Sequence, residues 1–205
     1  MARARRTKAA LLGGVLALVS LTSSSAVSAD VSPPFIPPDA HWLTTVNYYR
    51  AVAGLGPVAE DPAMSAGAYQ HSCYMLQNGI SHDELSSKPG YTPEGDAAGN
   101  NGNVAVSSAY GASARSHIEL WMTGPFHAIG VLRPNLATTG FGKCDNQATS
   151  PWRSGATLDV IRGLVPPSPR SEPILFPGNG STTNLDRFIV ESPDPLSFCG
   201  WSGGA

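Results

Sequence analysis

His127, which follows the Gly124-Pro125 break in "GPFHAIG", and His82, in the polar stretch "SHDE", are candidates for chemistry, each also readable as a residue that braces a turn or faces solvent. An imidazole can bind a metal, carry a proton or exchange hydrogen bonds near neutral pH. Asp83, Glu84, Glu94, Asp96 and Glu119 could join them, the first four within one polar stretch. A zinc site takes three or four N, S or O ligands, and a catalytic one keeps a position for water. The two histidines therefore need a recruited carboxylate before metal chemistry is complete. Glu119 stands two residues before Trp121 and leaves the helix about 160° away from it. No carboxylate pair has the placement that general acid/base work requires.

Other chemistries find less support. Serine, histidine and aspartate are plentiful, yet no G-x-S-x-G elbow occurs. "FPGNGSTTN" lacks the Gly-Lys-Ser/Thr ending of a phosphate loop and reads as a turn. Asn179-Gly180-Ser181 is formally a glycosylation sequon. His71 falls on the apolar stripe of a helix and reads as a buried, hydrogen-bonded residue, while His41 and His117 read as surface or packing residues. Trp42, Tyr48, Tyr49, Tyr69 and Tyr74 could line a groove for a lipid, sterol or glycan, but aromatics at helical spacing are usually core.

The elements that must position these residues begin with helices. "AHWLTTVNYYRAVA", 40 to 53, carries an apolar face, with Asp39 as its cap and Gly54 and Gly56 as its stop. Asp61-Pro62 opens a second helix that ends at Asn78-Gly79. Residues 81 to 103 read as a long ordered loop, a common setting for function. A third helix is predicted over 108 to 122, with Ser116 and Glu119 matching a capping box, and a short one over 128 to 132. Strand patterns then appear at 137 to 142, 156 to 165, 173 to 176 and 187 to 190. Helices followed by strands predict an α+β layered domain with an antiparallel sheet.

The ends bound the setting. Arg3, Arg5, Arg6 and Lys8, the apolar run from Ala9 to Leu21 and the small residues up to Ala29 form a secretory signal pattern. The apolar run is shorter than the ~20 residues of a membrane span, so no integral span is expected after cleavage. Beyond the leader, nine Lys and Arg face fifteen Asp and Glu, a net charge of about −6. That balance disfavours nucleic acid, which demands clustered cations. The domains read as leader 1–29, proline-rich lead-in 30–38, main domain 39–165 and loop-rich C-terminal extension 166–205, in a monomer. Three cysteines in an oxidising compartment suggest one disulfide and one free thiol. Cys144 with Cys199 is the preferred pair, since both lie in loop-rich sequence and Cys73 lies in a helix.

The segments "VNYYRAVAGLGPV", "DPAMSAGAYQHSCYM" leading to Ser81-His82, "ELWM" before "PFH", and "TTGFG" resemble, in order and spacing, the CAP superfamily of cysteine-rich secretory, antigen 5 and pathogenesis-related proteins. The likeness is to its bacterial secreted branch, over residues 40 to 165. It implies an α-β-α sandwich with a small antiparallel sheet between helical layers. It further implies a cleft of two histidines and two glutamates, which in some members holds a divalent metal. His82 and His127 match the histidines. Asn100 or Gly102 stands at the first glutamate's place, and Gly124 at the second's. The resemblance thus implies a secreted, non-enzymatic binding protein with a cleft of His82, His127, Asn100 and Glu84. Its ligand would be a small apolar molecule, a glycan or a protein, and His82 and His127 could hold a divalent metal such as zinc weakly. The alternative is a metal-dependent hydrolase in which a loop carboxylate replaces the lost glutamates.

Overall fold

The computed structural model describes residues 40–188 and 191–199. The leader, the proline-rich lead-in and Asp39 lie outside these residues. Helix α1, Trp42–Val52, is capped by His41, whose ring accepts the Leu43 N–H, and Gly54 ends it at φ 69°. Strand β1 is Ala59–Glu60, and helix α2 is Pro62–Asn78, with Asp61 accepting the Ala63 and Met64 N–H groups. The predicted loop contains a helix instead, α3, Pro93–Asn100. Thr92 caps it, Pro93 opens it, and Glu94 and Asp96 complement its positive end. Its Gly and Ala content hid the apolar period, but this start signal was present.

Strand β2, Gly102–Ser107, takes the end of the predicted loop, so the next helix starts late, as α4, Ala114–Thr123. Ser113, not Ser116, is its cap, and Ser116 supplies the N–H that Ser113 accepts. Helix α5, Pro125–Val131, begins at its proline, three residues earlier than expected. Strands β3, Thr138–Thr139, β4, Phe141–Asp145, and β5, Ser154–Asp159, complete the regular structure among the described residues apart from a short 3-10 turn at Ser197–Cys199. Residues 173 to 176 are irregular, as are 187 and 188, and 189 to 190 lie outside the described residues.

The main sheet is antiparallel in the order β2-β5-β4, and β1 pairs with β3 in parallel. β5 is buried along its whole length because both sheet faces are covered. Helix α2 lies across β4 and β5 with α3 beside it, whereas α4 and α5 pack on β2 and α1 packs on α4. Trp42, Tyr49, Trp121 and Phe141 meet in that second layer, with Trp42 stacked on Phe141 and Trp121 edge-on to it. The fold is the expected α-β-α sandwich.

The α2 contact corrects the disulfide. A side-chain carbon at Gly140 would strike Met64 and Ser65, and one at Gly142 would strike Ala68 and Tyr69. Two strand residues advance about 6.6 Å and four helix residues about 6 Å, so the next strand position in step faces the next helical turn. That position is Cys144, and it is bonded to Cys73 across a separation of 71 residues. Cys199 is an exposed free thiol, so the Cys144–Cys199 pairing is overturned. The helical setting that argued against Cys73 is what presents it to the strand.

Candidate functional site

A cleft of about 430 Å³ opens against β2. Strand β2 lines it with Val104, Ala105 and Val106 and helix α4 with Leu120 and Trp121, Ile80 and Trp152 line it too, and the polar lining comes from Ser81, His82, His127, Glu191 and Ser192. Its size falls within the ~300–1,000 Å³ of small-molecule pockets, and its lining is more apolar than polar. Trp121 is 1% exposed and its indole N–H donates to the Val104 carbonyl at 3.2 Å, which fixes α4 to β2. Glu119 does line another surface: it accepts from Tyr49 and Arg115, so the helical geometry predicted its departure correctly.

His127 is held on three sides. Its carbonyl accepts from Asn103 Nδ2 at 2.9 Å, its backbone N–H donates to Glu191 Oε2 at 3.1 Å, and its ring Nδ1 contacts the same oxygen. Glu191 Oε1 accepts the Phe126 N–H at 2.8 Å. The side chains are 18% and 5% exposed, so the pair is largely withdrawn from water. Gly124 makes room for it, since a side-chain carbon there would lie 2.7 Å from Glu191 Cδ. The position at which the resemblance expects a glutamate is therefore empty of side chain, and a carboxylate arrives from elsewhere in the chain.

His82 also lines the cleft; it is exposed, and its Nδ1 lies 2.8 Å from the Gly99 carbonyl. The remaining candidates are not brought to the cleft. Glu84 is buried between α2 and α3, pairs with His71 Nδ1 at 3.0 Å and accepts the Thr92 N–H at 2.9 Å. His71 Nε2 contacts the Ser81 carbonyl at 2.9 Å, so this buried histidine ties down the residue before His82. Asn100 is exposed and its amide donates to Asp96, and Gly102 abuts the Ala98 and Leu158 carbonyls with no space for a side chain. Asp83, Glu94 and Asp96 do not line the cleft either.

A bound divalent metal fits these residues poorly. Among the described residues no three His, Cys, Asp or Glu side chains form a ligand cluster. Glu191, the one carboxylate at the cleft, is occupied by two backbone N–H groups and an imidazole. Two imidazole nitrogens fall short of the three ligands that hold a catalytic zinc.

A second polar cluster lies one turn earlier on α4, at His117. His117 Nε2 is 3.1 Å from Ser154 Oγ, both fully buried, with Lys143 paired to Asp145 nearby. Burial, helped by the Lys143 charge, pushes the His117 pKa down to about 4. Tyr49 is pushed up, first by burial and then by Glu119. Both groups brace the core.

The helices packed on a small antiparallel sheet agree with the sequence comparison. The family model described as the cysteine-rich secretory protein family, CAP, matches residues 43–152, just over half the chain. The chain belongs to that family. Glu191 lies beyond the matched stretch, which is why the family pattern could not reveal it. No curated protein matches the sequence. Among solved structures, an extracellular SCP-domain protein of Bacillus anthracis is 18% identical with a TM-score of 0.46, over 59% of this chain and 39% of its own. An outer surface protein of Borrelia burgdorferi is 15% identical with a TM-score of 0.42, over 58% of this chain and 89% of its own. The chain thus spans well under half the length of the first.

Proposed function

We propose that this is a secreted, non-enzymatic CAP protein that binds a small, mostly apolar ligand in the cleft between His82 and His127. The observation that carries the reading is the lining: apolar side chains around two imidazoles, with the one carboxylate engaged by two backbone N–H groups and the His127 ring. The apolar side chains supply affinity by burial, and the two rings orient the ligand. Secretion rests on the leader pattern of the first 29 residues. Nothing at the cleft favours the hydrolase, which requires a carboxylate free to bind metal or activate water.

Methyl-labelled protein titrated with a panel of small apolar fragments tests this. Binders should shift Ile80, Val104, Val106 and Leu120 together, and His127→Ala should weaken them. Shifts confined to other surfaces, or fragments indifferent to both histidines, would remove the cleft reading.

A further inference from the structure

We infer that Glu191, contributed by the chain beyond the family domain, is a positioning residue that fixes the tautomer of His127, so that the cleft recognises a ligand bearing hydrogen-bond donors. The inference rests on the cleft reading above and adds the class of ligand. A carboxylate oxygen only accepts, so Nδ1 of a neutral His127 facing Glu191 Oε2 must carry the proton. Its Nε2 is then a lone-pair acceptor. The Gly99 carbonyl likewise accepts only, so His82 also holds its proton on Nδ1 and leaves Nε2 as an acceptor. No hydrogen bond to either Nε2 is found among the described residues.

The cleft thereby presents two acceptors among apolar side chains. An apolar molecule bearing hydroxyl or N–H groups satisfies them, while one offering only acceptors leaves both unpaired at the cost of their desolvation. Glu191 is suited to the role because the groups around it hold its position. Both oxygens are engaged by the first turn of α5, and Gly124 leaves the space it fills. Carboxylate-to-imidazole bonds of this kind set ring orientation and proton position.

The test is ¹⁵N NMR of the histidine rings in the full mature chain, as wild type, Glu191→Ala and Glu191→Gln. Wild-type His127 should be in the Nδ1–H form by roughly tenfold or more, the ratio a charge-assisted hydrogen bond supports. Glu191→Ala should revert toward the Nε2–H form that free histidine prefers. Glu191→Gln, whose amide oxygen can still accept from Nδ1, should restore it, and His82 should be unchanged throughout. An Nε2–H tautomer in wild-type His127, or a tautomer indifferent to Glu191→Ala, overturns the inference. The wild-type spectrum decides even if a variant fails to fold. Cyclohexanol should then shift both rings, several-fold more weakly in Glu191→Ala, whereas cyclohexanone at the same concentration should not. Equal shifts from the two probes overturn the donor preference. Probe binding at the cleft with a tautomer other than assigned would sink the Glu191 inference alone. The assigned tautomer with every probe and fragment binding elsewhere would sink the cleft reading alone.

Discussion

Glu191 Oε2 is bonded to His127 Nδ1 although 64 residues separate the two. The resemblance implies a glutamate three residues after Trp121, where this chain has Gly124. The space left by that missing side chain is the space in which the distant carboxylate sits. The loss and the replacement are thus two sides of one packing arrangement.

Gly124→Ala isolates that arrangement. Gly124 has φ −97° and ψ 123°, a conformation alanine adopts freely, so backbone strain does not enter. The added methyl would displace the Glu191 carboxylate and expose its three donors. A loss of about 1–3 kcal/mol is expected in urea unfolding, the range for unsatisfied polar groups. A neutral or stabilised variant would show that Glu191 is not seated there.

Trp121→Ala should destabilise more than His127→Ala. The tryptophan joins the core to β2, and its truncation should cost about 3–5 kcal/mol. Removing the His127 ring leaves one carboxylate oxygen short of a partner but still bonded to backbone, a cost of about 1–3 kcal/mol. Thermal unfolding of the two variants checks the order. Equal losses would make His127 a structural residue.

Cys73 and Cys144 should be found linked by peptide mapping under non-reducing conditions, with Cys199 open to maleimide. Closing a loop of 71 residues restrains the unfolded chain by about 4 kcal/mol in the chain-entropy account. Cys73→Ser should therefore lower the denaturant midpoint substantially. A Cys144–Cys199 peptide would contradict the pairing.

Stability should fall on acidification through His117. Its pKa of about 4 in the folded protein lies below the ordinary value of 6.5. As pH drops from about 6.5 the unfolded chain takes up a proton that the folded chain refuses until about pH 4. The contribution is complete above the higher value, and roughly 3 kcal/mol is lost across the window. Urea titrations at several pH values should show this slope in wild type and less of it in His117→Gln. An unchanged slope in the variant would exclude His117 as its source.

Much of the frame was legible in the sequence because it rests on local signals. Asp61-Pro62 opened α2, Gly54 closed α1, and the angle between Glu119 and Trp121 separated their surfaces correctly. Thr92-Pro93 was an equally good start for α3 but was outweighed by the Gly and Asn around it. The helical setting of Cys73 conceals its disulfide, whereas Gly140, Gly142 and Cys144 mark the strand face that lies against α2. His82 and His127 line one pocket, whereas Glu84, near His82 in sequence, is the buried partner of His71. Glu191 gave no local signal at all. Its role depends on a contact 64 residues long, and its one trace in the sequence was the glycine at position 124.

Calorimetric titration of the mature protein with Zn²⁺ bears most directly on whether the cleft is a ligand site without a metal. Two imidazoles and an engaged carboxylate predict no uptake at micromolar metal. Stoichiometric uptake that vanishes when His82 and His127 are both replaced by alanine would contradict the account.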